Sequence, residues 1–112
     1  MALLRWVPTR GRLPASPRFT EDSPIPVLFV HGTLGSPRGN FERPAQRLVE
    51  QGRPFLPPAY GKHGTASLDS SLQELLVYVD ALISRGVRQV DIVGHSAGGL
   101  LALRIAHARP GL

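Results

Sequence analysis

The run Gly94-His95-Ser96-Ala97-Gly98 constrains this chain more than any other stretch. Val90-Asp91-Ile92-Val93 before it reads as a strand, and Gly99-Leu100-Leu101-Ala102-Leu103-Arg104-Ile105-Ala106 after it reads as a helix. Only five residues are left to turn one into the other. A turn that tight puts Ser96 in a strained backbone conformation, and glycines two positions to either side keep side chains out of the crossing. A serine between glycines can also be a plain turn residue or a helix cap. Placed between a strand and a helix, Ser96 reads as a nucleophile held at the tip of a strand.

Upstream, the pattern alternates. Pro26-Val27-Leu28-Phe29-Val30 is a continuous apolar run of β-rich residues, the mark of a strand buried on both faces. A glycine-rich loop, His31 to Ser36, follows it. Phe41, Ala45, Leu48 and Val49 fall at helical spacing, which predicts a helix starting between Phe41 and Pro44 and stopping at Gly52. Alternation then puts a short strand in Arg53–Pro58, although three prolines there weaken a strand's ladder. Residues 59–66 read as a loop. Leu68, Leu72, Leu75, Leu76, Val79, Leu82 and Ile83 make one apolar stripe, so a helix is predicted over Ser67–Arg85, capped by Ser67 and ended by Gly86. Gln89–Val93 is the next strand, apolar on both faces and so suited to cover on both sides, but with no strand after it here its edge and much of one face are expected to lie bare. The last helix runs from about Ala97 to His107. Strand and helix thus alternate three times, an α/β pattern with a parallel sheet.

Residues 1–24 differ from the rest. They hold Pro8, Pro14, Pro17 and Pro24, four arginines and no periodicity, and read as a flexible leader ahead of a domain over 25–112. Met1-Ala2-Leu3-Leu4 is interrupted by Arg5 with no apolar segment after it, so no signal peptide is expected, and localisation stays open. No run reaches the roughly 20 apolar residues of a membrane span.

The net charge of +5 comes from 13 basic side chains against 8 acidic ones. Nucleic-acid binding would gather those cations on one face with aromatic residues among them. Here they are scattered, so no nucleic-acid partner is expected. There is no cysteine, hence no disulfide framework and no thiolate metal site. No metal is expected.

A serine nucleophile needs a site for the oxyanion and a base. Two backbone N–H groups can supply the first. Ala97, the residue after Ser96, is one candidate, and Thr33 in the loop after the first strand is the other. The base is not evident. His95 adjoins Ser96 and points elsewhere. His107 lies eleven residues along the helix, about 16 Å away at about 1.5 Å per residue. His31 is expected to order its own loop, and His63 has the loop freedom but no fixed relation to Ser96. No Asp or Glu follows Ser96, and Asp91 lies in the preceding strand.

Val27-Leu28-Phe29-Val30-His31-Gly32-Thr33-Leu34-Gly35, Phe41, Ala59-Tyr60-Gly61 and the stretch from Val90 to Gly99 together resemble the bacterial class 2 lipases of the α/β-hydrolase superfamily. The likeness covers about residues 25–109, the N-terminal half of such an enzyme. It implies a partial α/β-hydrolase fold of about three parallel strands with flanking helices. It also implies hydrolysis of carboxylic or lipid esters without a cofactor. By resemblance Ser96 is the nucleophile, Thr33 and Ala97 the oxyanion donors, and Gly94, His95 and Gly98 the rest of the elbow. The family's acid and histidine have no counterpart here, and many of its members are exported. The expectation is therefore a truncated ester hydrolase, weakly active or inactive by itself. The alternatives are a non-catalytic remnant or interaction module, or one half of a split hydrolase. An uncovered sheet edge would favour self-association.

Overall fold

Strand β1 (Val27–Val30) is buried along its whole length, as its unbroken apolar run requires. The computed structural model describes residues 13–20 and 22–112, with the backbone alone at Pro37, Arg38 and His63. β1 is the middle of a three-stranded parallel sheet, flanked by β2 (Phe55–Leu56) and β3 (Asp91–Gly94). Val27 faces Phe55 on one side and Asp91 on the other, and Val30 faces Gly94. This register carries β3 to the same end of the sheet at which β1 enters its glycine-rich loop.

Side chains alternate across a strand, and β1 feeds two cores accordingly. Val27 and Phe29 pack with Phe55 and with Phe41 and Ala45 of helix α1 (Pro37–Glu50). The Phe29 and Phe41 rings stack with centroids 4.5 Å apart. Leu28 and Val30 face the other way, onto Leu75 and Val79 of α3 (Leu68–Ser84) and Leu101 and Ile105 of α4 (Ala97–Ala108). Full burial of each such side chain stabilises by about 1.5–3 kcal/mol. A one-turn helix, α2 (Gly61–Gly64), interrupts the segment read as a loop. Gly61, Lys62 and Gly64 have φ of 58°, 50° and 77°, the left-handed region in which glycine carries no penalty.

α1 differs from the sequence reading. α1 starts at Pro37, not between Phe41 and Pro44. Ser36 is its cap, its Oγ accepting from Gly39 N at 3.0 Å, and Pro37 takes the first-turn place that proline suits. Pro44 sits inside the helix and has no N–H to give to the carbonyl of Asn40. β3 lies at the open edge of the sheet, as the sequence reading expects. It is an edge strand whose residues alternate between exposed and half-buried, with Val93 44 % exposed. α3 matches its stripe closely, with Ser67 Oγ accepting from Ser70 N and Asp69 in the first turn.

Of the leader, residues 1–12 and Glu21 lie outside the described residues. The remainder has no helix or strand but touches the body. Leu13 packs on the phenylalanine core, and Ser16 Oγ accepts from Phe55 N at 2.8 Å, covering a β2 amide. At the same end of the sheet Arg53 forms an ion pair with Asp91, which links the start of β2 to the start of β3 across β1. Among the described residues no helix is long and apolar enough to cross a membrane.

Candidate active site

In an open parallel sheet, ligands bind beyond the carboxyl ends of the strands. That end holds the turn from Gly94 to Gly98. The β1–β3 ladder extends into it through His95 N, which donates to Val30 O at 3.0 Å. Ser96 then takes φ 58° and ψ −122°, and α4 begins at the next residue. For a non-glycine residue this conformation costs about 1–3 kcal/mol, so the surroundings must hold it. They do so by close backbone approach. A Cβ on Gly98 would overlap Val30 O and stand 2.7 Å from His31 O, and one on Gly94 would run into the Gly98 carbonyl. The two glycines of the motif are therefore the only residue type that lets strand, turn and helix meet here.

The turn pushes Ser96 outward, and its side chain is exposed with no hydrogen bond to the described residues. Gly98 N donates to His95 O and Gly99 N to Ser96 O. Ala97, the first residue of α4, has no intrahelical acceptor for its own N–H, and the positive end of the helix dipole lies at that amide.

The loop after β1 lies directly against this turn. A Cβ on Gly32 would be 2.7 Å from His95 O and 3.1 Å from Ser96 Cβ. The Thr33 amide is bonded to the Gly32 carbonyl carbon, so Thr33 is carried to Ser96 by the chain itself. Gly35 N donates to Gly32 O at 2.9 Å and closes a turn over Thr33 and Leu34, where Leu34 has φ 61°.

Three groups fasten that loop. Asn40 Oδ1, from α1, accepts Gly32 N–H at 3.1 Å. The Tyr60 hydroxyl donates to His31 O, and the Tyr60 ring stacks on the His31 ring at 4.3 Å. Glu74 accepts from Gly61 N at 2.9 Å and anchors α2 behind the loop. Burial raises the Tyr60 pKa above its ordinary value, so the hydroxyl stays protonated as a donor. His31 is 1 % exposed. Its Nδ1 lies 3.0 Å from Gly32 O, which can only accept, so the proton sits on Nδ1 and Nε2 accepts from Tyr60 N. His31 orders its loop, as the sequence suggested.

Of the residues singled out from the sequence, Thr33, Gly94, His95, Ser96, Ala97 and Gly98 thus converge on one end of the sheet. Asn40, Tyr60 and Glu74 were not read as part of the site. Ser36-Pro37, a cap followed by proline, is the signal that would have brought α1 and Asn40 close to the loop.

No base meets Ser96 among the described residues. His107 is in the last turn of α4, and the His63 side chain lies outside the described residues. Three carboxylates are paired elsewhere. Asp91 pairs with Arg53 at the far end of β3, Asp69 with Arg104, and Asp80 with Arg109. Among the described residues no three His, Asp or Glu side chains converge as a metal site requires. A cavity of about 650 Å³ between Phe19, Ser23–Pro26 and Arg85–Gln89 opens at the opposite end of the strands, away from Ser96.

The sequence profile of the alpha/beta hydrolase family matches residues 27–111, from the start of β1 to beyond α4. The chain belongs to the alpha/beta hydrolase family. Its relatives include RutD of Stutzerimonas stutzeri, provisionally named a carbamate hydrolase, which is 33 % identical over 100 residues, 89 % of this chain and 28 % of RutD. The mouse sn-1-specific diacylglycerol lipase ABHD11 is 33 % identical over 94 residues, 80 % of this chain and 30 % of ABHD11. Among solved structures, an extracellular alpha/beta-hydrolase from a Paenibacillus species superposes with a TM-score of 0.64 at 19 % identity, over 79 % of this chain and 37 % of that one. The chain therefore spans under a third of the length of the two sequence relatives.

Proposed function

We propose that this alpha/beta hydrolase chain carries the nucleophile and oxyanion hole of a serine hydrolase acting on carboxylic or lipid esters, in the manner of a class 2 lipase. Ser96 Oγ attacks the acyl carbon and passes its proton to a base. The carbonyl oxygen becomes an oxyanion held by the Thr33 and Ala97 amides. The C–O bond to the alcohol breaks, the alcohol leaves with a proton, and water then releases the acid from the acyl enzyme. The observation that carries this reading is the positive φ of Ser96 at a strand-to-helix turn whose neighbour across the gap is Gly32. The motif likeness to class 2 lipases and the diacylglycerol lipase name of ABHD11 favour esters.

No described residue supplies the base or its orienting acid. The isolated chain is then a poor catalyst, retaining the oxyanion hole and lacking proton transfer, a step worth about 10²–10⁴-fold. Hydrolysis of a short-chain nitrophenyl ester tests this, with a carbamate of the same alcohol alongside. Turnover at the rate of an intact esterase and lost in Ser96→Ala would show a base inside the chain and make His63 the residue to replace. Preference for the carbamate would shift the substrate class. A second reading, an interaction module or one half of a split hydrolase, is favoured by the bare β3 edge. There Val93 and, on α4, Leu100 and Leu103 are exposed.

A further inference from the structure

The Gly32 peptide is where three parts of the site meet. Gly32 Cα lies against His95 and Ser96, and its carbonyl accepts from Gly35 N. A Cβ on Gly64 of α2 would stand 2.6 Å from that carbonyl oxygen. Its amide has one protein acceptor, Asn40 Oδ1, at 3.1 Å. That atom must be the oxygen, since a backbone N–H can only donate.

Asn40 is itself fixed. It lies in the first turns of α1, its N–H donates to Ser36 O at 3.1 Å, and Ser36 caps the same helix. The next residue, Phe41, is buried against Phe29 of β1. A Cβ on Gly35 would run into Asn40 Oδ1, so both ends of the Gly32–Gly35 turn abut this one side chain.

We propose that Asn40 is a positioning residue of the oxyanion hole. By holding Gly32 N–H it fixes the Gly32–Thr33 peptide, and with it the place of the Thr33 amide relative to Ser96 and Ala97. It does not touch the reacting atoms. The role rests on the reading of Ser96 and Thr33 given above. An oxyanion donor acts through fixed placement, and removal of one donor costs about 10²–10³ in rate. A displaced donor costs part of that.

The test uses the full chain and a p-nitrophenyl alkylphosphonate. Ser96 Oγ forms a bond to phosphorus, nitrophenolate leaves, and the serine proton passes to buffer. The limiting rate and the half-saturation concentration are read separately. Asn40→Ala should lower the limiting rate at least about tenfold while half-saturation stays in place, read well below a thermal midpoint that falls with the loss of the Gly32 hydrogen bond. Asn40→Asp keeps an acceptor for Gly32 N–H and should recover most of the rate. A limiting rate for Asn40→Ala equal to that of the unmodified chain would overturn the positioning role and leave the Ser96 reading standing. No Ser96 adduct in the unmodified chain would overturn both. Amide exchange of the unmodified chain covers the case of a variant that does not fold. The Gly32 amide should be protected by its Asn40 bond, and exchange at the rate of an open amide would overturn the proposal.

Discussion

At the scale of single residues, neighbouring glycines in the elbow have opposite requirements. A Cβ on Gly98 would overlap the Val30 carbonyl, a backbone atom with no freedom to retreat, whereas one on Gly99 would meet nothing nearer than Gly94 O at 3.9 Å. Gly98→Ala should therefore destabilise by about 3 kcal/mol, the upper part of the usual cost of overpacking. Gly99→Ala lies within α4, where alanine replaces a residue that weakens helices, and should be neutral or stabilising by about 0.5–1 kcal/mol. Urea denaturation of the two variants reads the contrast, and equal effects would contradict the close approach at Gly98. Tyr60→Phe removes the hydroxyl that donates to His31 O and leaves a buried carbonyl without that partner, a loss of about 1–3 kcal/mol. The hydroxyl also carries a pH signature. Its folded pKa is raised, so its share of the stability is whole below pH 10 and is lost as the pH rises through the folded value. Denaturation between pH 8 and 11 should show a steeper alkaline loss for the unmodified chain than for Tyr60→Phe. The elbow was legible in the sequence because its glycines lie within five residues of one another. Asn40 was not, because its importance depends on where α1 brings it back to a loop eight residues earlier.

At the scale of elements, α3 could be read almost to the residue, since a seven-member apolar stripe, a serine cap and a terminal glycine agree with one another. α1 could not. Two prolines compete for its start, and the apolar spacing begins only at Phe41, one turn after the helix does. A bridge from α3 to the end of α4 also escapes the sequence, since its partners lie 29 positions apart. Arg109 donates to both oxygens of Asp80 at 2.8 and 3.0 Å. Those hydrogen bonds lower the Asp80 pKa, with the Arg109 charge adding to the effect. A lowered folded pKa gives stability that is present above the ordinary carboxylate value and is lost as pH falls through the folded one. Both groups are exposed, so the contribution is small. Asp80→Asn should flatten the acid limb of the stability profile below pH 4 and leave the alkaline limb as it was.

At the scale of the whole molecule, β1 and β3 look alike in the sequence but differ in burial. β1 has a strand on each side and helices on both faces, whereas among the described residues β3 pairs with β1 alone and packs on α4. Cover comes from neighbours, and a strand's own residues cannot report which neighbours it has. The open edge and the exposed Leu103, at 71 %, form an apolar border, with a cavity of about 350 Å³ between Ile92, Leu103 and Leu112. Unpaired edge strands invite association. Light scattering of the isolated chain should show dimers or larger species, and Val93→Lys, which puts a charge on that edge, should shift them toward monomer. A monodisperse monomer with no affinity for a hydrophobic dye would contradict this.

The central claim is the proposed one, that Ser96 is a nucleophile beside an oxyanion hole with no base meeting it among the described residues. Added imidazole can serve as an external base. Intact-mass measurement after exposure to the p-nitrophenyl alkylphosphonate, with and without imidazole, reads the claim directly. The account predicts one adduct, on Ser96, formed slowly in buffer and faster with imidazole, and absent from Ser96→Ala. Adducts that persist in Ser96→Ala, or a rate that imidazole leaves unchanged, would contradict it.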